Sequence, residues 1–230
     1  MGSIAEKRTL KKRDRLKTAI VDYGMGNLFS VKQACSWAGL EPLITSDKGL
    51  IASSDALILP GVGAFSRAMA NLKRLNLISP LRDFIASGKP FMGICLGMQL
   101  LMTESEEFGL HKGLGVIKGT ARKFPANKGV KVPQIGWNGI RSISKKKSWK
   151  GTFLNGIRSG ELMYFNHSYY CSLKDKAIGL SFTEYAGIRY FSSFLVNNIF
   201  ACQFHPEKSA FEGLRIYKNW SALVKTRKNQ

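Results

Sequence analysis

Residues 90–104, PFMGICLGMQLLMTE, read as an apolar strand that runs directly into a glycine-flanked cysteine and then into a helix. The pattern Gly-x-Cys-x-Gly at such a junction is the thiol version of the nucleophile elbow. A sharp turn that pushes a side chain outward crowds its neighbours, so glycine fits best at Gly93 and Gly97. A helix that starts behind the sulfur favours a thiolate, and the N–H of Leu96 can face a developing oxyanion. The pattern therefore favours Cys95 as a nucleophile over the alternative, a buried structural cysteine.

The elements around this stretch indicate an α/β fold. The first half alternates strands, predicted at residues 18–22, 41–45, 55–59 and 90–94, with helices, predicted at 28–38, about 65–75, 80–87 and 96–104. Such alternation is typical of a central, mostly parallel sheet flanked by helices. The second half of the chain indicates additional antiparallel strands, predicted at residues 114–124, 161–171, 177–185, 188–196 and 199–204. An amphipathic helix, predicted at residues 209–224, closes the chain.

Length and composition fit one folded domain. The chain has 230 residues, of which 44% are apolar, and this excludes a disordered protein. Neither a membrane span of about 18 apolar residues nor a signal-peptide pattern is found. The four cysteines form no C-x-x-C pair and have no zinc-type spacing, which is typical of free thiols in a reducing compartment. We therefore expect a cytoplasmic protein without a metal site.

The charge is strongly positive, because 35 basic residues face 15 acidic ones and give a net charge of +20. Part of the excess lies at the ends, so we expect a disordered basic arm at residues 1–17, a folded domain at 18–224 and a basic tail at 225–230. The positive field attracts phosphorylated metabolites, an acidic partner or nucleic acid. No aromatic RNA-binding run, zinc finger or helix-turn-helix is present, so nucleic-acid binding is the less favoured interpretation.

A second motif, QFHPE at residues 203–207, follows an apolar strand. In an extended segment His205 and Glu207 face the same side, and Pro206 fixes the φ angle between them. The carboxylate can then orient the imidazole, which accepts the thiol proton and later protonates the leaving nitrogen. The alternative is an exposed turn with an incidental His and Glu. Together with the cysteine elbow, the motif favours a Cys95–His205–Glu207 triad.

A third motif, Pro60-Gly61-Val62-Gly63, ends the third predicted strand. Backbone N–H groups in a glycine turn can bind an oxyanion. The carboxyl end of a parallel strand is also where sites of α/β proteins gather. The alternative is an ordinary turn that ends a strand.

Six motifs together resemble the class I glutamine amidotransferases, and the resemblance covers residues 18–223. Within that family, the chain is most similar to the glutaminase subunits of imidazole glycerol phosphate synthase. The motifs are IVDYGMGN (20–27), LPGVG (59–63), GICLGMQL (93–100), GWN (136–138), NHSY (166–169) and QFHPEKS (203–209).

The resemblance implies the single-domain class I amidotransferase fold and hydrolysis of L-glutamine to glutamate and ammonia, without a cofactor. It assigns Cys95 as the nucleophile that forms a glutamyl thioester, His205 as the base and Glu207 as the group that orients it. It also implies two further sets of residues. Those of the oxyanion and substrate region are Gly61, Val62, Gly63, Leu96, Gln99, Glu107, Ser168 and Tyr169. Those facing the partner are Tyr164 and Trp137.

The implied partner is a (β/α)8-barrel cyclase subunit, which forms a heterodimer with the glutaminase and receives ammonia through a sealed path in histidine biosynthesis. The full complex has lyase activity. Three departures from the family pattern are the basic arm, Gln134 where many members have His, and NHSY in place of VHSY. Two alternatives therefore stay open. One is a paralogous glutaminase that serves another synthase, such as one of surface-sugar biosynthesis. The other is a nucleic-acid-binding or regulatory protein on this scaffold.

The remaining histidines and cysteines receive no direct role in the chemistry. His111 is expected in a loop, and His167 is expected to pack or hydrogen-bond near the site. The other three cysteines lie in apolar patterns and are expected in the core: Cys35, Cys171 and Cys202.

Overall fold

Strands and helices alternate in the first half of the chain, and strands predominate in the second. The computed structural model describes residues 16–125, 130–143 and 148–228. Its helices are α1 (Leu28–Trp37), α2 (Lys48–Ser53), α3 (Phe65–Arg74), α4 (Ile78–Ala86), α5 (Leu96–Leu100) and α6 (Ala210–Lys228). Its strands are β1 (Lys17–Val21), β2 (Glu41–Thr45), β3 (Ala56–Leu59), β4 (Phe91–Ile94), β5 (Met102–Ser105), β6 (His111–Lys112), β7 (Ile117–Lys123), β8 (Gln134–Gly139), β9 (Arg141–Ser142), β10 (Leu162–His167), β11 (Tyr169–Leu173), β12 (Gly179–Tyr185), β13 (Ile188–Val196) and β14 (Ile199–Cys202).

The central sheet has eight strands in the order β2-β1-β3-β4-β14-β13-β12-β9. The strands from β2 to β14 pair in parallel, and β13, β12 and β9 continue the sheet antiparallel. Beside it lie the antiparallel pair β10-β8 and a four-stranded sheet, β11-β7-β5-β6. The predicted α/β fold, with a mostly parallel sheet and antiparallel additions, is confirmed.

Helices cover both faces of this sheet, and the side-chain alternation of β1 shows how. Ile20 points into a core shared with α1 and α6, which contains Tyr217 and Trp220. Its neighbours Ala19 and Val21 point into the opposite core, shared with α3 and α4. Successive residues of a strand face opposite sides, so a strand buried on both faces is apolar throughout.

The prediction was wrong at several element boundaries. The helix predicted at residues 96–104 ends at Leu100, because Met102–Ser105 forms β5 and pairs with β7. A short apolar run fits a helix and a strand equally well, and only its distant partner decides between them. The strand predicted at 161–171 is two strands in different sheets, β10 and β11. The helix Lys48–Ser53, capped by the Asp47 side chain, was not predicted.

The two ends of the domain also extend beyond the predicted boundaries. Leu16 is buried and its carbonyl accepts a hydrogen bond from the N–H of Glu41, while Lys17 begins β1. Residues 225–228, predicted as part of the tail, continue α6. The rest of the predicted arm, residues 1–15, and residues 229–230 lie outside the described residues. In the described ranges, none of the helices combines the length and the apolar character needed to cross a bilayer.

The close packing of α5 against β3 predicts a large loss of stability for Gly97→Ala. A Cβ at this position would overlap with the carbonyl group of Leu59. We expect the substitution to lower the free energy of unfolding by about 3 kcal/mol or more, measured by urea denaturation. The control is Gly39→Ala, where φ is +78° but no atom lies within 4 Å of the added Cβ. It should cost about 1–2 kcal/mol, and equal costs at the two positions would contradict the packing argument.

Candidate active site

Cys95 lies at the sharp junction between β4 and α5. Its φ angle is +54°, a left-handed backbone conformation that residues other than glycine rarely adopt. The junction is held by its backbone, because the Cys95 N–H donates to the carbonyl of Cys202 at 2.8 Å. The strain and the location are those of a nucleophile elbow. Because α5 has only five residues, its dipole contributes less to the sulfur than the longer predicted helix would.

His205 and Glu207 form a buried pair at the end of β14. The imidazole Nδ1 lies 2.8 Å from Glu207 Oε1, and the two side chains are 3% and 1% exposed. The interpretation of this segment as an exposed turn is therefore wrong. Pro206 begins a short 3₁₀ turn, and the hydroxyl of Ser209 closes it by donating to the His205 carbonyl at 2.6 Å.

The electrostatics of this pair hold a positive charge on His205. Burial by itself lowers the pKa of an imidazole, but the interactions with Cys95 and Glu207 outweigh it and raise the pKa of His205 to about 10. The Nε2 atom has no hydrogen-bond partner of ordinary geometry within the described residues. It therefore remains available for the thiol proton of Cys95.

A cavity of about 250 Å³ opens beside the Cys95 sulfur. It brings together most of the residues that the sequence assigned to the substrate region. Gly61 is the one assigned residue that does not line it. Three lining residues were not assigned from the sequence: Pro133, Asn166 and His167. The assigned residues that line it are Val62, Gly63, Cys95, Leu96, Gln99, Glu107, Ser168 and Tyr169.

The oxyanion hole expected at the glycine turn is not open in this conformation. The N–H of Leu96 donates to the carbonyl oxygen of Gly61 at 3.4 Å, so the expected donor already has a partner. Gly61 fits tightly, because a Cβ there would overlap with the hydroxyl of Tyr23, which donates to the Pro60 carbonyl at 2.8 Å. The orientation of the Gly61 peptide, which no residue pattern specifies, therefore determines whether the hole exists.

Glu107 caps a helix from the rim of the cavity. Its carboxylate accepts a hydrogen bond from the N–H of Phe65, the first residue of α3. The cap residue of that helix, Ala64, has no side chain that could do so. A carboxylate at a helix N-terminus is favoured by both hydrogen bonding and the dipole. Glu107 thus has a structural partner in addition to its place in the cavity.

Gln99 and His167 share one backbone acceptor beneath the cavity. The Gln99 Nε2 and the His167 Nδ1 each lie 2.8 Å from the carbonyl oxygen of Tyr169. Burial lowers the pKa of His167 to about 3, despite the hydrogen bond to Tyr169, which favours the charged form. The imidazole is therefore neutral at ordinary pH, and the expectation that His167 only packs or hydrogen-bonds near the site is consistent with this geometry.

Gln203 also contacts Cys95, and it was not assigned a role from the sequence. Its Nε2 lies 3.6 Å from the Cys95 sulfur, and its side chain is fully buried. The signal was present in the QFHPE motif, because Gln203 stands two residues before His205. Alternation in an extended segment places both on one side.

The residues assigned to face the partner form an aromatic pair near the site, in which Trp137 is exposed and Tyr164 is partly buried. Trp137 on β8 is directly opposite Tyr164 on β10, and the ring centroids are 6.1 Å apart with an edge-to-face orientation. Half of the Trp137 surface is exposed. The Tyr164 ring also lies 6.4 Å from the ring of His205. A surface patch thus reaches to within one side chain of His205.

Groups able to hold a metal were not found within residues 16–125, 130–143 and 148–228. No cluster of three or more His, Cys, Asp or Glu side chains has a suitable arrangement there.

Comparison with known sequences gives consistent similarities. Residues 19–220 match the family model of "Glutamine amidotransferase class-I". The chain is 46% identical to the imidazole glycerol phosphate synthase subunit HisH of Aquifex aeolicus over 206 residues, which cover 89% of this chain and 96% of that protein. It is also 46% identical to the subunit of the same name from Caldanaerobacter subterraneus over 206 residues, which cover 90% and 98% of the two chains.

Solved structures share the fold at lower sequence identity. A putative GMP synthase protein from Thermoplasma acidophilum superimposes with a TM-score of 0.68 at 19% identity, covering 94% of this chain and 96% of that chain. The PurLQS structure from Thermotoga maritima gives a TM-score of 0.68 at 19% identity, covering 94% and 100%. At this identity the similarity supports the fold alone.

The charge on His205 predicts a pH-dependent stability. Its pKa is about 6.5 in an unfolded chain and about 10 in the folded one. The stabilisation by the charge is therefore complete below about pH 6.5 and is lost as the pH rises through about 10. In NMR spectra of the imidazole nitrogens at pH 8, His205 should be charged, and Cys95→Ala should lower its titration midpoint. A neutral His205 at pH 8 in the unsubstituted chain would contradict this assignment.

Proposed function

This chain belongs to the class I glutamine amidotransferases, and we propose from the arrangement at the end of β4 and β14 that Cys95, His205 and Glu207 are its catalytic triad. It is a glutamine-hydrolysing enzyme, the glutaminase subunit of an imidazole glycerol phosphate synthase. The observation that carries the assignment of the triad is the buried His205–Glu207 pair at 2.8 Å, with the raised pKa that Cys95 confers on His205.

The first half of the reaction forms a covalent intermediate. The proton of the Cys95 thiol moves to Nε2 of His205, and the sulfur attacks the amide carbon of glutamine. Negative charge develops on the amide oxygen. When the tetrahedral intermediate collapses, the carbon–nitrogen bond breaks and His205 returns its proton to the nitrogen. Ammonia leaves, and a glutamyl thioester remains on Cys95.

The second half releases glutamate. His205 accepts a proton from a water molecule, whose oxygen adds to the thioester carbonyl carbon. The carbon–sulfur bond then breaks, and the proton returns to the sulfur. Throughout both halves, Glu207 orients the imidazole and stabilises its positive charge, as the third member of a triad does.

The oxyanion requires donors that this conformation does not present. The N–H of Leu96 is engaged by the Gly61 carbonyl. Rotation of the peptide between Gly61 and Val62 would withdraw that carbonyl and turn a donor toward the site. We propose that the glycine turn is the two-state element and that the partner subunit favours its active arrangement. The φ of Gly63, +99°, lies where glycine is favoured, so the turn has the required freedom.

The partner in this proposal is a (β/α)8-barrel cyclase that consumes the ammonia. The pair of the exposed Trp137 and the partly buried Tyr164 supports an interface beside the catalytic base, because aromatic residues are enriched at protein–protein contacts. Lys208, next to the triad, lies 5.7 Å from the Tyr164 ring centroid and adds a positive charge to the same surface. Ammonia released at Cys95 would then leave on the side covered by the partner.

The alternatives from the sequence receive less support. A scaffold kept for binding alone has no need of a complete, buried triad, and the positive charge is the only feature that favours nucleic acid. A paralogous glutaminase for another synthase would share every catalytic residue. The relatives at 46% identity carry the name of the histidine-pathway subunit. We also propose a cytoplasmic location, which is supported by four buried free thiols.

The triad assignment predicts that Cys95→Ala removes glutaminase activity. We expect a fall of about 10⁵-fold or more, because no neighbouring group can replace the nucleophile. An electrophilic glutamine analogue should label Cys95 alone, since burial raises the pKa of Cys35, Cys171 and Cys202. The matched control, Cys35→Ala, should be labelled and active like the unsubstituted chain. Labelling at one of the three other cysteines would refute the assignment.

The closed oxyanion hole predicts that the isolated chain is a slow glutaminase. Addition of the cyclase subunit with its nucleotide ligand should raise kcat by about 100-fold or more, because one oxyanion donor contributes about 10²–10³ in kcat. Steady-state glutamate release with and without the partner measures this effect. Heat-unfolded cyclase is the control. Full activity in the isolated chain would exclude partner control of the turn.

A further inference from the structure

We propose that Gln203 is a further catalytic residue, whose side-chain amide donates a hydrogen bond to the thiolate of Cys95. The proposal rests on the proposed function, because it concerns the state of the same nucleophile. Gln203 Nε2 lies 3.6 Å from the sulfur, within hydrogen-bonding distance for this atom. Gln203 lies between β14 and His205, so one segment supplies both the base and this donor.

The direction in which the Gln203 amide points is fixed by its neighbours. The carbonyl oxygen of Tyr169 can only accept, so the Gln99 atom that lies 2.8 Å from it must be the nitrogen. The same nitrogen lies 3.1 Å from Gln203 and therefore faces the Gln203 oxygen. This leaves the Gln203 NH₂ group toward the sulfur. The assignment follows from the network, and a flipped amide would place two donors or two acceptors against each other.

A backbone carbonyl, that of Tyr169, holds this hydrogen-bond network in place. The Tyr169 carbonyl accepts a second hydrogen bond from Nδ1 of His167, at 2.8 Å. Gln99, Gln203 and His167 are all at least 94% buried. Hydrogen bonds are electrostatically stronger in such surroundings than in water, and chains of them polarise one another. The sequence of contacts therefore runs from a backbone carbonyl through Gln99 to Gln203 and ends at the nucleophile.

This donor distinguishes the two protonation states of the cysteine. A thiolate can only accept hydrogen bonds, and the Gln203 N–H can only donate, so the contact favours the thiolate. The opposite preference comes from the Asn166 carbonyl, 3.8 Å from the sulfur, which can accept only from the thiol. Gln203 thus acts in the same direction as the charge on His205. Its loss should raise the pH at which Cys95 becomes a nucleophile.

The test is the pH profile of Cys95 alkylation by iodoacetamide in Gln203→Met, with the alkylated residue identified by mass spectrometry. Methionine has nearly the same length and no donor. We expect the apparent pKa for alkylation to rise by about one unit. The free energy of a hydrogen bond to a charged group corresponds to a pKa shift of about that size or more. The fall in kcat should be larger than any rise in KM. The control is Gln134→Met, which removes another buried glutamine, bonded to Tyr190 rather than to Cys95, and should leave the profile unchanged.

The outcomes separate three possibilities. If Gln203 only supports the position of Gln99, Gln203→Met will lower thermal stability and raise KM without moving the alkylation profile, and the proposal is then wrong. If the unsubstituted chain shows no preferential alkylation of Cys95, the proposed function itself fails. Should Gln203→Met not fold, Gln203→Asn serves instead, because the shorter side chain withdraws the amide from the sulfur. An unchanged profile in the folded Asn variant would equally refute the proposal.

Discussion

The parallel pairing of β4 with β14 is the constraint on which the site depends. Its register places Cys202 opposite Ile94, and the N–H of Cys95 continues the ladder to the Cys202 carbonyl. These strands are more than 100 residues apart in the chain, yet both end at the same edge of the sheet. Cys95 follows one strand, and the other residues proposed for the chemistry, Gln203, His205 and Glu207, follow the other. A shift of this register by one residue would turn the alternate side chains away from each other.

Strain and burial at this edge are compatible with stability because several polar groups there have hydrogen-bond partners, although Nε2 of His205 and Oε2 of Glu207 have none within the described residues. The left-handed φ of Cys95 is held by its backbone hydrogen bond to Cys202. The close packing of Gly97 against β3 also fixes the position of the backbone that follows Cys95. His205 is fixed by Ser209, and the Tyr169 carbonyl supports the amides below the sulfur. The glycine turn after β3 is different, because a single peptide orientation connects it to Leu96. The elbow at Cys95 is therefore held by several contacts, whereas the proposed oxyanion donor depends on the orientation of one peptide.

Features formed by residues close together in the chain could be predicted from the sequence, whereas features that depend on residues far apart in the chain could not. The elbow at Cys95 and the pair His205–Glu207 are local patterns, so spacing alone revealed them. The extent of α5 could not be predicted, because residues 102–105 form a strand by pairing with β6 and β7. Contacts such as Gln99 with Gln203, 104 residues apart, require the tertiary fold. The engagement of Leu96 by the Gly61 carbonyl depends on a peptide orientation, which side-chain identities do not encode.

The two buried histidines show how this arrangement assigns a single proton carrier. His167 and His205 lie in the same site and both lose hydration, yet the pKa of one is lowered to about 3 and that of the other is raised to about 10. A backbone carbonyl alone does not offset the burial of His167, whereas the interactions with Cys95 and Glu207 more than offset that of His205. The charge on His205 further lowers the pKa of His167. The charge on His205 thus acts in the same direction as burial and disfavours a proton on His167. In the proposed mechanism, the thiol proton therefore has one acceptor, the imidazole that can return it to the leaving nitrogen.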